Sequence, residues 1–304
     1  MAQAPLLNVH HLQKKFGQFH ALTDVDFKIY PGEVFGFIGP NGAGKSTTIR
    51  ILLGLIRASG GQATLFGQDV WRDSVAIHRR IAYVPGDVTL WPNMSGGEII
   101  DMFLRLNGDR HSDKTETLIK KFGLDPRKKA RTYSKGNRQK VALIAAFSMD
   151  ADFYIFDEPT SGLDPLNEQT FQAEVLALKA RGKSVLLSSH ILSEVEKMCD
   201  RIGIIREGRI VETGTLADMR HLTRTTVDVQ TTAPVTDVAA LAGVHGVTVE
   251  TDHHVTFAVD ADQLTAIMAF LTEKGLVALT TTPPTLEDLF MRYYQGADQA
   301  VDGK

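Results

Sequence analysis

An α/β fold with a parallel core sheet, an antiparallel side sheet and a second, smaller α+β domain is what the sequence predicts, on three observations. Short wholly apolar runs, "EVFGFIG" (33–39), "FYIFDE" (153–158), "SVLLSS" (184–189) and "RIGIIR" (201–206), alternate with helix-length segments. Runs of that length, bounded by turns or charges, suit strands buried on both faces of a parallel sheet. The chain has 304 residues, of which 43% are hydrophobic, enough for more than one core. After about residue 222 the texture changes: charge thins while Thr and Val rise.

The elements follow in order. "LLNVHHL" (6–12), "VDFKIY" (25–30) and "QATLFG" (62–67) are half-buried in pattern and are assigned to the antiparallel side sheet. Helices are expected over 46–57, 135–149, 165–180 and 191–199, with a helical subdomain spanning about 88–150. The first domain is placed at 1–222 and the second at 223–304. In the second, "TTVDVQ" reads as a strand and "VTDVAALA" as a helix. "VTVETDHHVTFAV" reads as two strands, "DQLTAIMAFLTEKG" as a helix and "LVALTT" as a strand. That βαββαβ order suggests a small ferredoxin-like domain, followed by an amphipathic helix in "PTLEDLFMRYYQ". His253 and His254 are adjacent, so on a strand they face opposite ways, and they are read as turn or strand residues rather than metal ligands.

Charge and cysteine narrow the setting. A net charge of −3 does not suit a protein held to nucleic acid by bulk charge. The single cysteine, Cys199, rules out an intramolecular disulfide and reads as a packing residue at a helix end. No run approaches the roughly 20 apolar residues needed to span a bilayer, so a cytosolic chain is expected. If it works at a membrane, another chain must cross it. The basic stretch "DPRKKARTY" (125–133) reads as a solvated loop.

Chemistry enters at "GPNGAGKST" (39–47), which follows an apolar strand and opens a helix. It satisfies G-x-x-x-x-G-K-[ST] in the context that makes the motif specific. Gly39, Pro40, Asn41, Gly42, Ala43, Gly44, Lys45, Ser46 and Thr47 are the candidate phosphate loop. The glycines let backbone N–H groups turn towards phosphate oxygens, and the helix start adds its positive end. Lys45 supplies a cation for the β- and γ-phosphates, and Ser46 a hydroxyl for Mg²⁺. "FYIFDEPTSGLDP" (153–165) delivers Asp157 and Glu158 to the C-terminal end of a buried strand, the edge where parallel sheets bind ligands. Asp157 is assigned to Mg²⁺ and Glu158 to the general base that polarises the attacking water. His190 follows "SVLLSS" at the same edge, where its ring can bond the γ-phosphate and the water.

These residues, over about 6–222 and in this order, resemble the ATP-binding subunit of ABC transporters. The resemblance implies a P-loop ABC ATPase domain that uses ATP and Mg²⁺, with Asp164 in the "SGLD" loop, His190 as the switch histidine and Phe16 stacked on adenine. Phe replaces the commoner Tyr and keeps the π-face. Two segments compete for the family signature. "MSGGE" (94–98) looks the closer match, but it has a complete reading as a capping box, with Ser95 at the N-cap and Glu98 at the third helical position. "YSKGNRQKV" (133–141) opens the helix that leads into "DADFYIFDE", the placement the family requires. Ser134, Lys135, Gly136 and Asn137 are therefore assigned to the signature, with Lys135 and Asn137 replacing the usual Gly and Gln. In the family this motif meets ATP held by a second subunit, which implies a head-to-tail dimer.

A further departure falls in "IAYVPGDVTLWPNM" (81–94). The position of the family's Mg²⁺-binding glutamine is Gly86, so Asp87 or a water is the candidate replacement. Trp91, Pro92 and Met94 suit either ordinary packing or a groove for a membrane partner's coupling helix. The tail "PTLEDLFMRYY" (284–294) resembles ATPase subunits of antibiotic and drug exporters with a separate permease (ABC-2 type). The resemblance thus implies a peripheral subunit on the cytoplasmic side of the cell membrane that powers export of antibiotics, drugs or other hydrophobic compounds. The alternatives are a soluble ABC-type switch acting on ribosomes, or an ABC subunit for ion export or import. Neither the substrate nor the role of the second domain is readable.

Overall fold

The computed structural model describes residues 3–221, 224–260 and 262–282. In chain order the elements begin β1 (Leu7–Phe16), β2 (Phe19–Ile29), β3 (Val34–Ile38), α1 (Lys45–Leu52), β4 (Gly60–Leu65), β5 (Gln68–Asp69), α2 (Ser74–His78) and β6 (Ile81–Val84). Next come α3 (Gly96–Asn107), α4 (Asp113–Lys121), α5 (Lys135–Ser148), β7 (Phe153–Asp157), α6 (Pro165–Ala180), β8 (Ser184–Ser189), α7 (Leu192–Met198), β9 (Arg201–Arg206) and β10 (Arg209–Thr215). The last are α8 (Leu216–His221), β11 (Thr225–Thr231), β12 (Val244–Thr251), β13 (His254–Val259), α9 (Leu264–Glu273) and β14 (Leu276–Thr282).

Contacts divide the chain into two compact units, Met1–Gly214 and Thr215–Lys304. The boundary lies before the expected 222/223 because β10 is the last strand of the large sheet. Thr215, where β10 ends, turns the chain into α8: its hydroxyl donates to the Asp218 carboxylate at 2.7 Å and accepts from the Asp218 N–H at 3.1 Å.

In the first unit, ten described strands run in the order β5-β4-β1-β2-β10-β9-β3-β8-β7-β6. β6, β7, β8, β3 and β9 pair parallel with one another in the core half, β1, β2, β4 and β5 pair antiparallel with one another, and β2 meets β10 in parallel. This is the expected α/β architecture with a side sheet. Every residue of β3, β7 and β8 is buried, the polar ends Asp157, Ser184, Ser188 and Ser189 along with the apolar residues between them. The parallel register aligns Ile38 with Ser189 and Asp157 with Ser188, so the C-terminal ends of β3, β8 and β7 share one edge.

The helices α3, α4 and α5 fill the stretch expected to be helical. α3 begins at a complete capping box: the Ser95 N–H donates to Glu98 Oε2 at 2.6 Å and the Glu98 N–H to Ser95 Oγ at 3.3 Å. "MSGGE" is thus a helix start. Just beyond α3, His111 bridges α3 to α4, with Nδ1 2.6 Å from Asp101 and Nε2 2.8 Å from Glu116. The hydrogen bond to Asp101, with help from Glu116, holds the His111 pKa above its ordinary value. A raised folded-state pKa gives stability that is complete below the unfolded value of about 6.5 and is lost as pH rises through the folded one. The pair is more than a third exposed, so the effect is small. His111→Gln is expected to cost about 0.2–1 kcal/mol at pH 5.5 and much less at pH 9, measured by denaturant melts at both values.

Cys199, at the end of α7, is buried, and burial pushes its thiol well above the ordinary range. It packs and does not react. No helix among the described residues is long and apolar enough to cross a membrane.

In the second unit, four strands run β12-β13-β11-β14, all antiparallel, over a core of Val227, Val229, Val255, Phe257, Ile267 and Leu271. The helix expected over 235–242 is only a short 3-10 segment, Thr236–Ala240. Its apolar positions Val235 and Val238 are one tight turn apart, and both are buried there without a longer helix. His253 lies in the turn, while His254 on β13 is held between Asp228 at 3.2 Å and Glu250 at 2.9 Å. The amphipathic helix expected within 284–295 lies outside the described residues.

Candidate functional site

The aligned strand ends bring the candidate residues to one place. After β3 the chain turns through residues 39–44 into α1. Gly42 (φ 83°) and Gly44 (φ 116°) take left-handed backbone conformations that side chains resist. Gly44, the N-cap of α1, is also close-packed: a Cβ there would stand 2.6 Å from Leu22. Lys45 is 5% exposed, and its ammonium donates to the carbonyls of Gly39 at 2.6 Å and Pro40 at 3.2 Å. It also reaches Glu158 Oε1 at 3.3 Å. Ser46, the next residue, is exposed at the helix start.

Glu158 follows β7 with φ 49°, a left-handed conformation that costs a non-glycine residue about 1–3 kcal/mol. Its N–H compensates by donating to the Ser188 carbonyl and hydroxyl, both at 3.1 Å. The bend directs one carboxylate oxygen to Lys45 and the other to His190 Nδ1, 3.3 Å away. His190, at the end of β8, is half exposed. A cation, a carboxylate and an imidazole from three separated segments thus form a continuous chain at the sheet edge. Asp157 is buried and accepts a hydrogen bond from Ser188 Oγ at 2.5 Å. Ser188 therefore organises both acidic residues. Sequence reasoning passed over it, although its place two residues before His190 on a buried strand was the available signal.

Position 86 closes against the same residues. A Cβ at Gly86 would lie 3.0 Å from the Asp157 carbonyl and 3.6 Å from Glu158 Cβ, tight enough to require adjustment. Asp87 beside it is exposed.

The second cluster is the start of α5. Ser134 is its N-cap and accepts from the Asn137 N–H at 3.3 Å. Gly136 abuts the "SGLD" loop so closely that a Cβ would stand 2.3 Å from the Gly162 carbonyl. The Lys135 ammonium donates to Ser161 Oγ at 2.7 Å. The departure from the usual glycine therefore adds a tie between the α5 start and that loop. Asp164 is the N-cap of α6, accepting from the Asn167 N–H at 3.0 Å, and hydrogen bonds from Asn167 hold its pKa low. Phe16 ends β1 half exposed, with the Lys14 ammonium 4.8 Å from its ring centre.

Comparison with known proteins bears on this arrangement. The family model described as "ABC transporter" matches residues 22–161. A daunorubicin resistance ATP-binding protein of Streptomyces coeruleorubidus is 31% identical, over 97% of this chain and 97% of its own length. A linearmycin resistance ATP-binding protein of Bacillus subtilis is 30% identical, over 94% and 97%. An uncharacterised ABC transporter ATP-binding protein of Nostoc is 37% identical over 66% of this chain, and the match spans 61% of that protein's length. Among solved structures, an ATP-binding subunit of an ABC transporter is 34% identical, with a TM-score of 0.66, covering 71% of this chain and 92% of that one. A dimeric cassette bound to ADP and phosphate, 22% identical with a TM-score of 0.63 over 69% and 98%, supports the fold alone. With a phosphate loop, an acidic strand end and a histidine converging on one sheet edge, and with relatives matching along its whole length, the chain belongs to the ABC transporter family as an ATP-binding subunit and ATPase.

Proposed function

We propose that this subunit powers a bacterial exporter of antibiotics, drugs or other hydrophobic compounds through a separate membrane permease. The observation that carries the reading is the Lys45–Glu158–His190 chain at the sheet edge. It belongs to a protein similar over its length to two ATP-binding proteins named for drug resistance.

In this reading the loop from Gly39 to Thr47 receives the phosphates of ATP, and Phe16 stacks on the adenine. Lys45 exchanges Gly39, Pro40 and Glu158 for phosphate oxygens, since its three donors can be redirected. Glu158, released from the ammonium, takes the proton of the attacking water, and His190 orients that water and the γ-phosphate. The Ser46 hydroxyl and the Asp157 carboxylate offer the hard oxygen donors that Mg²⁺ prefers. The bound ion would neutralise phosphate charge. Ser134, Lys135, Gly136 and Asn137 face ATP held by a second ATPase subunit, and Asp164 lies beside them in the dimer interface. A cavity of about 390 Å³ between β6, α3 and α5 includes Pro85, Val88, Leu90, Phe103, Ala142 and Met149. Exposed Trp91 lies near Phe103, their ring centres 6.0 Å apart. This face suits a permease's coupling helix, which supports reading the subunit as one that works at the cytoplasmic side of the membrane. The second unit is an accessory domain.

Asp87 stands beside the position where the family's glutamine is missing. Asp87→Ala is expected to raise the Mg²⁺ concentration for half-maximal ATPase several-fold. A Mg²⁺ titration of both proteins checks it, and an unchanged curve would remove Asp87 from the metal site.

The function itself is tested by a pull-down from detergent-solubilised membranes with tagged Glu158→Gln protein and ATP. Recovery of a multi-spanning membrane protein supports the exporter reading, and transport assays with that permease then distinguish drug from ion traffic. Recovery of ribosomes or soluble partners alone overturns it.

A further inference from the structure

Away from the nucleotide site, two consecutive histidines and two aspartates converge on the antiparallel side of the large sheet. Consecutive residues of a regular strand face opposite sides. β1 breaks that rule: its register with β2 shifts between Val9 and Leu12, and its register with β4 shifts between His10 and Gln13. His11 sits in this bulge with φ 48°, and the two imidazoles stand together with ring centres 4.1 Å apart. Opposite them, β2 presents Asp24 and Asp26. His10 Nδ1 is 2.8 Å from Asp26 Oδ1, and His11 Nδ1 is 3.2 Å from Asp26 Oδ2 and 2.8 Å from Asp24 Oδ1. One ligand atom from each of His10, His11 and Asp26 lies within 4.8 Å of the others.

We propose that His10, His11 and Asp26, with Asp24 as the fourth ligand, form a surface site for a divalent transition ion of the zinc class. Tetrahedral coordination at about 2.0–2.2 Å places ligand atoms roughly 3.3–3.6 Å apart. The two 2.8 Å imidazole–carboxylate contacts need to open by about 0.5–0.8 Å to receive the ion, and the 3.2 Å contact by less. Two imidazoles and two carboxylates form a donor set that zinc accepts, whereas Mg²⁺ and Ca²⁺ prefer oxygen throughout. The ion clamps β1 to β2.

The test uses untagged full-length protein without nucleotide, so that neither a histidine tag nor ATP carries the metal. Zn²⁺ competition against a chromophoric chelator is expected to show one ion bound per chain at micromolar protein. His11→Asn and Asp26→Asn should each weaken that site at least ~10-fold, while His253→Ala leaves it unchanged. Asparagine tolerates a left-handed backbone, so the first variant keeps the bulge, and the second probes the site from the other strand. Co²⁺ should give the visible absorption of a tetrahedral centre in the parent protein and in His253→Ala, but not in the two ligand variants. Equal Zn²⁺ affinity in all four proteins, or no binding by the parent at micromolar concentration, overturns the proposal.

Discussion

Glu158→Gln is expected to lower the ATPase rate by about 10²–10⁴-fold, the usual worth of a positioned general base, without loss of ATP binding. The amide keeps the shape of the carboxylate but cannot take the water's proton. It also removes the charge that now pairs with Lys45 at 3.3 Å, so the ammonium is freer to meet phosphate. The variant should therefore hold ATP at least as well as the parent. Single-turnover hydrolysis and equilibrium ATP binding, measured side by side, check both halves. A rate within threefold of the parent would take the base role from Glu158. The neighbouring His190→Ala should also slow turnover, because its ring, 3.3 Å from Glu158, positions rather than accepts.

Lys45→Ala should act earlier, at binding. The side chain is almost fully buried and its ammonium is fixed by the Gly39 and Pro40 carbonyls and by Glu158. Its removal leaves those acceptors without their donor and the phosphates without their cation. Hydrogen bonds to charged groups are worth about 1.5–3 kcal/mol each, so a loss of at least ~10–100-fold in ATP affinity is expected, with hydrolysis near background. Fluorescent nucleotide titration separates this outcome from that of Glu158→Gln. Weak binding with Lys45→Ala and retained binding with Glu158→Gln is the pattern that assigns the two roles. Thermal melting of both variants without nucleotide confirms that the fold persists.

Much of this was legible in the sequence because it is local. Residues 39–47 run from the end of β3 through two turn glycines into α1, so this loop needs no distant partner to be recognised. The parallel core was legible for a similar reason: a strand buried on both faces has no polar alternation to hide it. That "MSGGE" opens a helix was also local, because Ser95 and Glu98 close a capping box on each other. The short segment at Thr236–Ala240 was misread as a full helix because apolar spacing over one turn does not distinguish a 3-10 turn from an α-helix.

Sequence by itself determined the family, the glycine turn that opens α1, the acidic strand end and the parallel core, since each is written in consecutive residues. Tertiary structure alone decided the rest. It joined Lys45 to Glu158 and His190, placed Ser188 under both acids, pressed Gly136 against Gly162, and gathered His10 and His11 opposite Asp24 and Asp26. Those contacts depend on strand order, register and a single bulge, which are set by how separated segments pack, and no spacing along the chain records them.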